Sequence, residues 1–205
     1  GMAMSKRTKK VFLSLLCFFL LVLGCKFYMD RMKVDNLYRH GFQLYEEQIA
    51  TYLKENYSGI SKIEFSPIFK SGGSGEGFVY ARIVPVVYDT YGNKVYLRND
   101  GVLKMGVADY EMTAGIDLDF NINDGSEIIY LRNDQKESIS VESYQNLPDE
   151  LKLNKGEITN EVMEAFSREG HLKGVEKNDQ GSPQAEIVYN LEIRRVQGRE
   201  FYEWK

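Results

Sequence analysis

The chain has 205 residues, with 30 acidic against 26 basic side chains and a formal charge of −4. That length suits one domain with a real core, or at most two small ones. The acidic balance argues against nucleic acid as a partner, and against docking on anionic lipid through a basic patch. Lys6, Arg7, Lys9 and Lys10 open the chain without an acid among them, and fifteen apolar or small residues follow, Val11–Cys25. Such a cluster stays on the cytoplasmic side, which places everything beyond Cys25 outside. A spanning helix needs about 20 predominantly apolar residues. The run is short for that unless Lys26 snorkels and Phe27, Tyr28 and Met29 extend it.

As the apolar core of a signal peptide the run has a normal length. Its end, Leu21-Val22-Leu23-Gly24-Cys25, resembles a bacterial lipobox with Cys25 as the acylated residue, although Leu23 is less usual before the glycine. Residues 1–25 therefore read as a signal with lipobox or a membrane-anchor segment, and 26–205 as a single extracytoplasmic domain at the outer face of the cell membrane. Gly1 reads as the remnant of an appended tag, with Met2 and Met4 as starts. With 4 of the basic residues before Cys25 and every acid after it, the exported part carries −8. Its fold must do without disulfides, because Cys17 and Cys25 are the only cysteines. The 14 tyrosines against one tryptophan suit strands and protein contacts alike.

From Met32 to Tyr57, apolar residues recur at Tyr38, Phe42, Tyr45, Ile49 and Tyr52/Leu53, the stripe of an amphipathic helix that Gly59 would end. The period then changes to two. ISKIEFSPI, FVYARIVPVVYD, KVYLRND, GVLKMGVADYEM, GIDLDFNIND, SEIIYLRND and ESISVESY read as short strands, separated by turns such as SGGSGEG (Ser71–Gly77) and YGN (Tyr91–Asn93). Pro85 implies an edge or a bulge. A second helix fits Ile158–Glu169, capped by Thr159 or Asn160, with Val162, Met163 and Phe166 on its apolar face. QAEIVYNLEIRR and EFYEW, joined by VQGRE, read as a final hairpin. The fold class expected is α+β: a single antiparallel meander, covered on one face by a long N-terminal amphipathic helix, with a short helix before the C-terminal hairpin.

Chemistry is sparse. No nucleophile elbow, Walker loop or zinc-protease motif occurs. GGSGEG joins two strands and opens no helix, so it is not a phosphate cradle. His40 and His171 suit surface or capping roles. Between Asp117 and Glu127 the acids suggest a calcium loop and then miss: counted from Asp119, Asp124 stands where glycine is needed and Tyr130 where glutamate is. Strict alternation explains them better, with Asp117, Asp119, Asn121 and Asn123 on one face and Ile116, Leu118, Phe120 and Ile122 on the other. Glu186 and Glu192, with Gln184, Asn190 and Arg194, form the polar side of a later strand. These acids are the candidate partner-binding residues, with no metal, cofactor or enzymatic activity expected.

The short anchor, the membrane-proximal helix ending YLKENYSG and the acidic sheet together resemble the TipC family of immunity proteins, which act against TelC-type toxins exported by the Gram-positive type VII secretion system. The resemblance implies a protein on the outer face of the membrane that binds such a toxin and occludes its active region. The toxins are similar to enzymes that degrade lipid II. An accessory lipoprotein of a secretion or conjugation machine, and an envelope hydrolase, are the other classes compatible with the residues.

Overall fold

The computed structural model describes residues 4–72, 79–107, 109–197 and 200–205. Most of the expected SGGSGEG turn and part of VQGRE lie outside them. Two compact units result, Gly1–Leu37 and Tyr38–Lys205. The first helix, α1, is Lys6–Asn56. In the first unit its apolar side chains from Val11 to Met32 are exposed, and the segment is long and apolar enough to cross a membrane. The apolar run is not limited to fifteen residues, because the helix continues unbroken through Gly24, Cys25 and Lys26 to Phe27, Tyr28 and Met29.

In the second unit the predicted stripe is buried, from Tyr38 and Phe42 to Tyr52 and Leu53. So are Leu44, Glu46, Gln48 and Ala50, which point elsewhere around the helix. The buried surface is therefore wider than the single predicted stripe, and the wetter side of the helix is left to Arg39, His40, Gln43, Glu47, Thr51, Lys54 and Glu55.

The strands are β1 (Tyr57–Ser58), β2 (Ile60–Phe65), β3 (Ile68–Ser71), β4 (Tyr80–Ile83), β5 (Pro85–Asp89), β6 (Lys94–Tyr96), β7 (Tyr110–Glu111), β8 (Ile116–Phe120), β9 (Glu127–Arg132), β10 (Ser138–Ser140), β11 (Glu176–Lys177), β12 (Glu186–Val188) and β13 (Ile193–Arg195). They form four sheets among the described residues and not one meander: β1-β11, β10-β9-β8, β12-β2-β5-β6 and β13-β3-β4-β7. The two four-stranded sheets share one long hairpin, with β2 and β3 on one arm and β4 and β5 on the other. It bends where Ser66 and Val84 exchange bonds: the Ser66 N–H donates to the Val84 carbonyl at 3.0 Å, and the Val84 N–H to Ser66 Oγ at 2.8 Å. Pro85 opens β5, an inner strand, at a first position where the ring does least harm.

The C-terminal hairpin does not form either. QAEIVYNLEIRR breaks into β12 and β13, which add in parallel to β2 and to β3. EFYEW is not a strand, since Glu200–Glu203 is a short helix, α3. Its Phe201 and the following Trp204 pack edge-on against Phe69. GVLKMGVADYEM yields only β7. The residues ahead of it form a loop held by side chains, with Asp109 Oδ1 accepting the Asn99 N–H and Asp100 Oδ1 that of Val102.

The second long helix, α2 (Glu157–Arg168), buries Val162, Met163 and Phe166 as expected. Its cap is neither Thr159 nor Asn160 but Gly156, whose φ of 45° places its backbone beneath the Tyr52 ring, where a side chain would collide. Asp134 holds the approach by accepting the N–H groups of Asn154 (2.7 Å) and Lys155 (3.1 Å). Asn160 is thereby free to accept the hydroxyls of Tyr52 and Tyr57 at 2.7 and 2.6 Å.

Candidate partner-binding face

The three-stranded sheet packs its inner side on α1, where a side chain at Gly41 would run into Leu118 and one at Gly115 into Tyr45. Ile116, Ile129 and Leu131 are buried on that side. Alternation turns the neighbours outward. Asp117 pairs across the ladder with Tyr130, Asp119 with Ile128, and Tyr130 in turn with Ser140 of β10. The outer face therefore carries Asp117 and Asp119 beside a half-exposed tyrosine, Tyr130 at 38 %.

The alternation read from the sequence ends at Phe120. Asn121 and Asn123 lie in the β8–β9 loop and not on the strand face. Asn121 Oδ1 accepts the N–H of Asn123 at 2.8 Å, and Asp124 Oδ1 accepts the N–H and hydroxyl of Ser126 at 2.9 and 2.6 Å. The chain reverses there, and Ile122, expected on the buried face, stands 97 % exposed at the tip. Glu186 is exposed on β12, and Glu192 lies between β12 and β13, ion-paired to Arg194 at 3.4 Å. Glu186 stands on an edge strand of one four-stranded sheet, and Glu192 in the link from it to the other. The six residues thus fall into three places: a strand face, a loop tip and an edge of other sheets.

Three features were not legible as candidates. His40 is engaged by both ring nitrogens, Nδ1 with Glu127 Oε2 at 2.9 Å and Nε2 with the Tyr144 carbonyl at 2.6 Å. Glu46 is fully buried in the core. Burial, with a smaller contribution from neighbouring Glu47, pushes its pKa up to about 9, against the Asn190 N–H that donates to it at 3.4 Å. Its Oε2 has no partner among the described residues. Nothing in QLYEEQIA distinguishes this glutamate from a solvated one. The third is an open cleft of about 560 Å³ near the end of α1, lined by Thr51, Lys54, Glu55, Asn154, Asp179 and Gln180 among others. It contains neither Glu46 nor a histidine, so the strongly raised pKa of Glu46 does not belong to this cleft.

Among the described residues no cluster of His, Cys, Asp or Glu is arranged to hold a metal ion. No family model matches the chain, and neither a curated protein nor a solved structure matches it.

Proposed function

We propose that this is a membrane-anchored extracytoplasmic immunity protein of the TipC type. It would bind an exported antibacterial toxin of the lipid II-degrading kind and cover the toxin's active region. The observation that carries the reading is the outer face of the β8–β10 sheet. A helix-backed sheet presents Asp117 and Asp119 beside Tyr130, and acid with aromatic is a combination suited to a basic protein surface. The exposed apolar part of α1 suits a protein whose target works at the same membrane. The most perturbed carboxyl is sealed in the core, which favours a binder over an enzyme.

The test is charge reversal. Asp117→Lys with Asp119→Lys should leave the domain folded, because exposed charges contribute little to folding. Binding to the enzymatic domain of a toxin encoded beside this gene should weaken by on the order of a few kcal/mol, and cells should lose protection. A folded double variant that protects as well as the wild type removes this face from the interface. A wild type that binds no such toxin removes the immunity reading and favours the accessory lipoprotein.

A further inference from the structure

His40 sits on α1 between two groups that can only accept. Its Nδ1 meets the Glu127 carboxylate at the start of β9, and its Nε2 meets the main-chain carbonyl of Tyr144. A neutral imidazole has one N–H and one lone pair, so it can serve only one of these partners. The other nitrogen would then face an acceptor across 2.6 or 2.9 Å. Only the doubly protonated ring donates to both.

The charged groups around the ring favour that form. β9 contributes Glu127, the segment after β10 contributes Glu142, and Tyr144 directs its own hydroxyl to Glu150 at 3.2 Å. On α1 the neighbours one and two turns on are Gln43 and Glu47. Gln43 donates to the Gln145 carbonyl at 2.9 Å and Glu47 accepts the Leu147 N–H at 2.6 Å. Burial opposes the charge on His40. The bonds to Glu127 and Tyr144 and the fields of Glu127 and Glu142 outweigh it, and the pKa is held above the ordinary histidine range.

We propose that His40 is a proton-operated clasp, whose imidazolium pins the start of β9 and the Tyr144 turn to α1 and whose deprotonation frees them. Gln43 and Glu47 keep the 145–147 segment in place in both states, so the release is local. It reaches the loop end of the β8–β9 hairpin, where Glu127 pairs with Phe120, and whose strand and loop carry Asp117, Asp119 and Ile122. The clasp stands on its own bonds; its effect on partner binding rests on the function proposed above. The hairpin would be stiff in acid and looser toward alkaline pH. An extracytoplasmic domain meets such changes directly, as a cytoplasmic one does not.

The experiment uses the full chain in detergent micelles. Histidine resonances are followed from pH 5 to 9, with His171→Gln assigning the only other histidine. His40 should titrate above the ordinary histidine value of about 6.5, and Glu127→Gln should lower its midpoint. Hydrogen exchange, corrected for the intrinsic rate, is read at the Asn121 and Tyr144 amides, which are bonded to Ser126 and Val141. Their opening should increase about tenfold for each unit by which the clasped pKa exceeds the free one, while α2 amides stay level. His40→Gln should remove that dependence. A midpoint at or below about 6.5, or exchange that ignores the titration, overturns the clasp. Toxin affinity that stays level through a demonstrated titration overturns the link to the face. A wild type that binds no toxin overturns the proposed function alone, leaving the clasp to be decided by exchange.

Discussion

The backbone N–H of Lys173 donates to Asp89 Oδ2 at 2.8 Å, joining residues 84 apart in the chain. The same carboxylate accepts the N–H groups of Tyr91 and Asn93, both at 2.9 Å, and the Asn93 side-chain amide at 2.8 Å. Asp89 is almost fully buried. Burial raises its pKa, but these four bonds more than offset that and hold it below the ordinary aspartate range. One side chain thus organises the β5–β6 turn and fastens it to the loop after α2. Asp89→Ala should cost roughly 2–4 kcal/mol in denaturant unfolding, since it leaves several buried donors unpaired. An aspartate with a lowered folded pKa stabilises the fold above its unfolded pKa. That contribution should fade as pH falls below about 4 and on through the folded value, and be missing in the variant.

Glu46 is the opposite case. Unfolded, it loses its proton near 4.5; folded, it keeps it to about 9. Between those values the native state holds a proton that the unfolded chain has released, so stability should fall as pH rises through that window. Glu46→Leu should flatten the slope there. It should also be neutral or stabilising near pH 8, since buried ionisable groups are often replaced by apolar ones without loss. An unchanged slope, or a strong loss in equilibrium unfolding, would show that the folded carboxyl is ionised and held by a partner.

Phe42 tests the helix register. It is fully buried, with its ring stacked on Tyr38 at 6.5 Å and tilted to Tyr45 at 6.1 Å. Phe42→Ala should cost about 3–5 kcal/mol in a fragment of residues 30–205, which should itself fold without disulfides. A loss under about 1 kcal/mol is the signature of a surface position and would break the register.

The membrane attachment is tested at Cys25. Cells should release the protein only with detergent, a palmitate analogue should label it, and Cys25→Ala should abolish the label. Membrane retention of an unlabelled wild type assigns the attachment to a spanning helix instead.

Legibility divides along sequence distance. The stripe from Tyr38 to Leu53 and the apolar face of α2 were readable, because their repeat is local and each position stands for itself. The strand Ile116–Phe120 was readable for the same reason, but its extension to Asn123 was not. Alternation continues through Ile122 on paper, whereas Asn121 and Asp124 use their side chains to close a loop. β12 and β13 have the composition of strands, yet nothing in them specifies parallel partners more than a hundred residues earlier. EFYEW has strand propensity and forms α3. Arg98 fixes that end, donating to the carbonyls of Phe201 at 3.2 Å and Trp204 at 3.0 Å. Of the candidate face, Asp117 and Asp119 were found by pattern, while Tyr130 came to lie beside Asp117 only through cross-strand register.

The parallel addition of β12 and β13 also dictates an order of events. The ladder partners of β2 and β3 on that side lie more than a hundred residues later in the chain. Until they arrive, the long hairpin keeps an open edge of main-chain donors and acceptors, the kind of edge that recruits foreign strands. Closing it requires segments more than a hundred residues apart to meet, which is slow. A chain interrupted before residue 186 would therefore keep that edge unsealed, a natural substrate for chaperones and proteases.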